Sequence, residues 1–589
     1  MNRVRNLRAK PIRCLCVPIV TLLLLACGDA RKAPLSGVLI TIDTTNKAAL
    51  GLYGNQPVIS PHLDALAEES LVYENARSVA PLTLPSHASM LTGLYPIRHT
   101  VRDNGFHPLP ASARTLAERA QEGGFQTAAF VAAIVLAAPF GLNQGFDRYE
   151  APHAGEHNAE PYMREHRAEV MTRAALEWVR QRDRSRPLFL WVHFFDPHAP
   201  YKAAPAFLDR VAPHTPEGIA PYLAEVAQAD AAIGELLEGL RDQGILDESL
   251  LAVVADHGES LMRHGEPTHS VFIYDTTMRV PFLLRYPDGY RAGERSDEPV
   301  SVVDLFPTFS SAMNLGEPGN DVDGLDLFEQ VVPPDRGVYF ESYSGFLSYG
   351  WSPLTGWADR RGTYLHGARP QLYLPDDRRQ AVNRIDSQPE LAREHRSQIS
   401  RLADRLRLPP SSRTLDTEFA GDLLSLGYVG GAQDGGELPH PLQVEQYPDP
   451  SEHLDELLVF YHAASQAAMG HHDEAIAILE GLLETVPDNV LAAEVLARIL
   501  VAQGRFQEIV DLLQPRLSPG AERRSGLSML AGALERTDRT QAALDLHLRG
   551  LALWPDDRKF LKGAIRTLRR LGREPEAQQL EQRLQEIRE

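Results

Sequence analysis

At 589 residues the chain is longer than one hydrophobic core usually organises, so at least two domains are expected. Its 43% hydrophobic and 23% charged residues exclude a fibre or a wholly disordered chain. A formal net charge of -20, with no basic patch beyond the first residues, excludes nucleic-acid binding, which needs clustered Lys and Arg to displace counterions.

The chain opens on Arg3, Arg5, Arg8, Lys10 and Arg13, followed by VPIVTLLLLAC at 17–27. That apolar run is shorter than the ~20 residues of a membrane-spanning helix and Pro18 interrupts it, so it reads as an export signal. Its ending, Leu24-Leu25-Ala26-Cys27, resembles a bacterial lipobox. That implies cleavage before Cys27, lipidation of its thiol, and a protein anchored in the cell envelope facing the periplasm. An ordinary cleaved signal with an incidental cysteine is the alternative. Cys14 and Cys16 lie in the segment to be removed, so Cys27 has no internal disulfide partner.

From Gly37 onward strands alternate with helices. GVLITID (37–43), PLFLWVHFF (187–195) and SLLAVVADHG (249–258) are short apolar runs of the buried-strand type. The stretches 163–182 and 217–243 carry apolar residues at helical spacing. This pattern predicts a mainly parallel α/β sheet with helices on both faces, its ligand beyond the carboxyl ends of the strands. Asp43, Asp196 with His198, and Asp256 with His257 fall at or just after such ends. Singly, each Asp reads as a cap or turn former and each His as a packed or surface residue. Together they point to a site.

Between the first and second of these runs lies APLTLPSHASMLTG (80–93), with a helix expected from residue 88. Two aspartates, an imidazole and the Thr83 hydroxyl make a four-ligand set for a divalent cation, Zn or Mn by preference, with Ca or Mg also open. A metal on the Thr83 oxygen would turn a feeble nucleophile into a competent one. The nearby helix N-terminus is expected to offer backbone N–H groups to an anionic tetrahedral ester.

The run at 80–93 resembles the sulfatase signature, in which a cysteine or serine precedes x-P-small-R-A-S-x-L-T-G. The resemblance extends over residues 37 to about 310 through GLYG (51–54), SPHLDALAEES (60–70), TGLYPIRH (92–99), GLNQGFDRY (141–149), HFFDPHAPY (193–201), ADHGES (255–260), MRVPFLLRYP (278–287) and SVVDLFPT (301–308). It implies the alkaline-phosphatase-like fold, with a catalytic domain at 35–330. QLYLPDD (371–377) and LGYVGG (426–431) resemble the family's smaller α+β subdomain, expected at 331–431.

The departures bear on chemistry. Thr83 stands where sulfatases carry the cysteine or serine that becomes formylglycine, and threonine cannot supply that aldehyde hydrate. His87 replaces the signature arginine, Thr44 replaces a second aspartate, and His269 occupies the place of a later lysine. The remaining set resembles the superfamily's phosphotransferases, which use threonine as nucleophile. By that resemblance Asp43, Thr83, Asp256 and His257 form a single-metal shell, and Thr83 passes through a phosphothreonine. His198 and His269 would then stabilise the transferred group or protonate the leaving oxygen. His87, Arg102 and Asn104 are substrate-binding candidates by proximity in sequence, a solvent-facing His87 being the alternative.

AQDGGELPHPLQVEQYPDP, within a linker at 432–450, leads into a wholly helical region at 451–589. GHHDEA, GRFQEI, DRTQAA and GREPEA begin at 470, 504, 538 and 572, in steps of 34. That period resembles tetratricopeptide repeats, which form a solenoid and present a concave surface to a protein or peptide. The linker lacks helical or strand periodicity, so a separable tail is expected.

The sequence thus reads as an exported metalloenzyme hydrolysing or transferring phosphate-type esters through Thr83. A sulfate-ester hydrolase without formylglycine and an inactive scaffold acting through its repeats are the alternatives.

Overall fold

The computed structural model describes residues 36–105, 107–152, 167–317, 319, 321–328, 330–411, 438–517 and 523–587. The export signal, Cys27, LGYVGG and the start of the linker lie outside the described residues.

Fourteen strands occur among the described residues: β1 (Ser36–Ile42), β2 (Leu71–Tyr73), β3 (Ala76–Arg77), β4 (Gln126–Val131), β5 (Arg148–Glu150), β6 (Leu188–Phe194), β7 (Ser249–Ala255), β8 (Phe282–Arg285), β9 (Arg295–Ser296), β10 (Val300–Ser301), β11 (Val338–Ser342), β12 (Leu354–Asp359), β13 (Gly362–His366) and β14 (Gln371–Tyr373). The main sheet has eight strands in the order β5-β4-β6-β1-β7-β8-β2-β9. From β5 to β7 all neighbours are parallel, and β8 runs antiparallel to β7 and β2. The three apolar runs are the central strands β6, β1 and β7, buried on both faces as parallel strands must be.

Strand alternation divides the core. Leu39, Phe189, Trp191, Ala252 and Val254 pack with Leu84, Ala88 and Leu91 of the helix Thr83–Thr92. Val38, Ile40, Val192 and Val253 pack against the helices Ala168–Gln181 and Ala220–Asp242 on the other side. A four-stranded antiparallel sheet, β11-β12-β13-β14, with the helix Pro389–Ala403, forms the small α+β subdomain.

Among the described residues, the region from Leu454 to Glu586 has eight helices in antiparallel pairs, the first Leu454–Ala468 and the last Glu574–Glu586. Its 34-residue period has a conformational cause. Gly470, Gly504 and Gly572 sit at φ 83, 72 and 73°, with Asp538 at φ 59° taking the same place, so each ends the first helix of a pair in the left-handed region.

The repeats, expected as a separable tail, pack on the catalytic unit. Phe460 meets Tyr349 edge-on at 5.9 Å, Tyr349 stacks on Trp351 at 4.1 Å, and Trp351 stacks on His453 at 5.0 Å. Leu457 is buried in one apolar cluster with Val271, Phe272 and Trp351. The linker, though aperiodic, buries Leu442 in the core of the catalytic unit. Aromatic side chains spread over three chain segments carry no periodic signal, which is why the sequence suggested independence.

Candidate active site

Asp43 follows β1 and Asp256 follows β7, and parallel pairing of Ile42 with Ala255 sets them side by side. Thr83 is the first residue of its helix, which begins five residues earlier than the sequence suggested. Asp43, Thr83, Asp256 and His257 are all fully buried. His257 Nε2 lies 3.7 Å from Asp43 Oδ1 and 3.6 Å from Asp256 Oδ2. Both Asp43 oxygens, Asp256 Oδ2, His257 Nε2 and Thr83 Oγ1 lack hydrogen-bond partners.

Burial drives both carboxyls well above the usual range, with the Glu259 charge adding at Asp43 and the Asp43 charge at Asp256. Burial likewise drives His257 well below the ordinary imidazole value, so the ring is neutral. Its Nδ1 lies 3.1 Å from the Gly258 carbonyl, which takes the proton and leaves Nε2 as a lone pair. Three carboxylate oxygens and an imidazole nitrogen converging with no donor between them are costly unless a cation completes them. Four ligands at ~2.0–2.2 Å from one ion stand about 3.3–3.6 Å apart, close to the separations seen. Among the described residues, Asp43, Asp256 and His257 are the one group of three acids or imidazoles close enough to hold a metal ion.

Thr44, where a second aspartate was sought, donates its hydroxyl to the Pro197 carbonyl, while its N–H reaches Asp256 Oδ1 at 3.2 Å. Asp196 turns away from the centre. Its carboxylate accepts Ala168 N–H at 2.9 Å at the start of the helix Ala168–Gln181, and Gln228 Nε2 at 3.3 Å.

The remaining candidates divide by environment. His198 and His269 stand with rings 5.2 Å apart, and the His269 ring is 4.5 Å from that of His257. Burial lowers both His198 and His269 to about 3, so both are neutral. His198 Nδ1 lies 2.6 Å from the Ala199 carbonyl, and His269 Nδ1 lies 3.2 Å from Glu259 Oε1. His87 is fully buried, against a solvent-facing placement: its ring lies 4.8 Å from His193 and 5.3 Å from Trp191, with Nδ1 2.8 Å from the Thr83 carbonyl. Arg102 gives its guanidinium to Glu341 in a bidentate pair, 3.7 Å over the Tyr343 ring.

Asn104 Oδ1 accepts the Leu84 N–H at 2.9 Å. This modifies the expected anion site at the helix start. Leu84 N–H is taken, Pro85 has none, and Ser86 N–H bonds the Leu82 carbonyl. Side chains, more than helix N–H groups, must therefore meet an anion here.

Two residues of the centre had escaped the sequence reading. His193 is fully buried on β6 with Nε2 3.5 Å from Asp43 Oδ2, and pairing opposite Thr41 sets its Nδ1 3.1 Å from that hydroxyl. Glu259 joins His269 to Tyr201, whose hydroxyl donates to Glu259 Oε2 at 2.9 Å. Strand parity would have set His193 beside Trp191, and ADHGES contains Glu259, but neither lies where a strand ends.

The buried acid–imidazole–hydroxyl group sits at the carboxyl ends of a parallel sheet, where such sheets bind their ligands. Comparison with known proteins sharpens this. Residues 37–315 match the sulfatase family model and residues 466–517 a tetratricopeptide-repeat model. The chain therefore carries a sulfatase-family hydrolase domain followed by tetratricopeptide-like repeats. An ulvan-active sulfatase of Formosa agariphila is 28% identical over 361 residues, covering 54% of this chain and 70% of that protein. Among solved structures, Ps i-CgsB in complex with k-i-k-neocarrahexaose aligns with a TM-score of 0.57 at 20% identity, covering 66% of this chain and 97% of that one. The phosphonate monoester hydrolase of Agrobacterium radiobacter aligns with a TM-score of 0.51 at 21% identity, covering 63% and 95%.

Proposed function

We propose that the protein is a metal-dependent esterase or transferase acting on phosphate-type esters through Thr83, membrane-anchored at Cys27 and engaging a protein or peptide partner through its repeats. The observation that supports the chemistry best is the Thr83 hydroxyl, buried and without a partner at the edge of the Asp43–Asp256–His257 group. These four residues would hold one divalent cation, which when bound supplies positive charge that acidifies a hydroxyl and screens an anionic ester.

In this reading Thr83 Oγ attacks phosphorus, forming the Thr–O–P bond as the bond to the leaving oxygen breaks. The proton lost by threonine balances the one gained by the departing alcohol. His198 and His269, both neutral, face the transferred group. Glu259, kept protonated by burial, donates to His269 Nδ1, so Nε2 carries the ring proton, binds the leaving oxygen and passes that proton to it as Nδ1 takes the one from Glu259. Water then cleaves the phosphothreonine, or an acceptor alcohol does so in a transferase. Asn104 holds the start of the nucleophile's helix.

A second reading, sulfate-ester hydrolysis, is favoured by the named activity of the 28%-identical relative. Threonine cannot become formylglycine, so that chemistry would need another nucleophile. An inactive scaffold is disfavoured, because a retained group of unpaired buried acids is costly without a ligand.

The distinguishing experiment is turnover of matched aryl phosphate monoester, phosphate diester and sulfate by metal-loaded protein. Thr83→Ala should lose at least about a hundredfold in kcat on phosphate esters, and Thr83→Ser should retain part of it. Preferred sulfate turnover that survives Thr83→Ala would establish the second reading instead.

A further inference from the structure

We propose that the first helix of the repeat region belongs to the catalytic apparatus, with Tyr461 as a positioning residue that fixes the backbone presenting His269. The inference rests on the role given to His269 above.

The Tyr461 hydroxyl donates to the His269 carbonyl at 2.7 Å and lies 3.0 Å from Ser270 Oγ. It therefore grips the main chain at the histidine itself. The next residue, Ser270, has φ 109°, a conformation that side-chain-bearing residues avoid. Such strain persists only where neighbours over-determine it. Here the neighbours are visible: Ser342 Oγ donates to the Ser270 carbonyl, and Glu266 Oε1 accepts the Val271 N–H at 2.8 Å. Without the Tyr461 hydroxyl, the His269 carbonyl loses its donor next to the strained bond.

The same helix holds the neighbouring chain. A Cβ on Gly265 would meet the Leu454 side chain at 2.8 Å, so the loop and helix are in contact there. Leu457 packs with Val271 and Phe272 beyond the histidine. Leu454, Leu457 and Tyr461 are spaced to lie along one helical face, which spans the loop from Gly265 to Phe272. The His269 side chain points the other way, to Glu259 and the His257 ring. Packing alone would be served as well by phenylalanine. The hydroxyl is what ties the repeats to the catalytic loop.

The test uses full-length, metal-loaded protein with p-nitrophenyl phosphate as probe, comparing Tyr461→Phe, His269→Gln and the double variant. Tyr461→Phe should lower kcat about tenfold with KM within about twofold, and add less than about twofold in the His269→Gln background. Hydrogen–deuterium exchange should rise about tenfold in peptides covering 266–274 and stay unchanged in the main sheet. Equal losses in both backgrounds would overturn the coupling, and unchanged exchange would overturn the grip itself. Full activity of His269→Gln would sink the role of His269 and the coupling with it, whereas faster exchange would still establish the grip.

Discussion

Glu259 Oε1 lies 3.2 Å from His269 Nδ1, and the other oxygen of the same carboxylate accepts the Tyr201 hydroxyl at 2.9 Å. Burial raises the Glu259 carboxyl to about 8 and lowers His269 to about 3, so near neutral pH the protonated acid donates to Nδ1 of a neutral ring and holds the imidazole in a single orientation. Glu259→Gln keeps the size, the acceptor for Tyr201 and a donor for Nδ1, but has no acid proton to pass on. It should lower kcat on phosphate esters by about tenfold or more with little change in KM. A variant with unaltered kcat would remove Glu259 from the mechanism.

Metal should bind where the unpaired donors converge. Zn or Mn added at a hundred times Kd should stabilise the fold by about 2.7 kcal/mol, visible as a rise in Tm. Asp43→Asn, Asp256→Asn and His257→Ala should each abolish the rise and the stoichiometric metal measured in purified protein. An equal rise in all three variants would place the metal elsewhere.

Most of the fold and half of the centre were legible in the sequence, for definite reasons. Asp43, Asp256 and His257 stand where apolar runs end, and a buried parallel sheet displays such positions together. Thr83 was marked by its motif. His193 was hidden because it lies inside an apolar strand and acquires its role only from the register that sets it opposite Thr41 and beneath Asp43. The Glu341 that occupies Arg102 belongs to β11, in the small subdomain, and no local pattern links the two. Tyr461 sits in a helix whose repeat character explained its apolar spacing and so concealed its polar contact.

The Arg102–Glu341 pair is buried, and the Tyr339 hydroxyl also donates to Glu341 Oε2 at 2.5 Å. Breaking one side leaves an uncompensated charge. Arg102→Ala and Glu341→Ala should each cost about 3–5 kcal/mol in chemical denaturation, and the double variant less than their sum. Additive losses would mean that the two groups do not interact as seen.

Stability should depend on pH through two acids remote from the metal donors. Burial raises Glu225 and Glu266 from the ordinary glutamate value of 4.5 to about 8. Between these values the folded chain holds protons that the unfolded chain has released, so its stability falls as pH rises from about 5 to 8. Glu266→Gln keeps the acceptor for Val271 N–H and removes the titration. It should flatten the decline by an amount on the order of one to a few kcal/mol across the window, read from denaturation midpoints. An unchanged slope would show that Glu266 is ionised throughout.

Removing residues 451–589 would expose Val271, Phe272, Tyr349 and Trp351, which now pack on the repeats. Each large side chain returned to water costs about 1.5–3 kcal/mol, so the truncated chain should be insoluble or unfold at a clearly lower temperature. A truncated protein with native stability and activity would show the interface to be dispensable.

The central claim, that Thr83 is the nucleophile, is tested most directly by acid-quenching metal-loaded protein during turnover of a slow phosphate ester and measuring the peptide masses. The account predicts a phosphate-mass adduct on the peptide containing Thr83, present in wild type and Thr83→Ser and absent in Thr83→Ala. No adduct in wild type, together with an active Thr83→Ala variant, would contradict it.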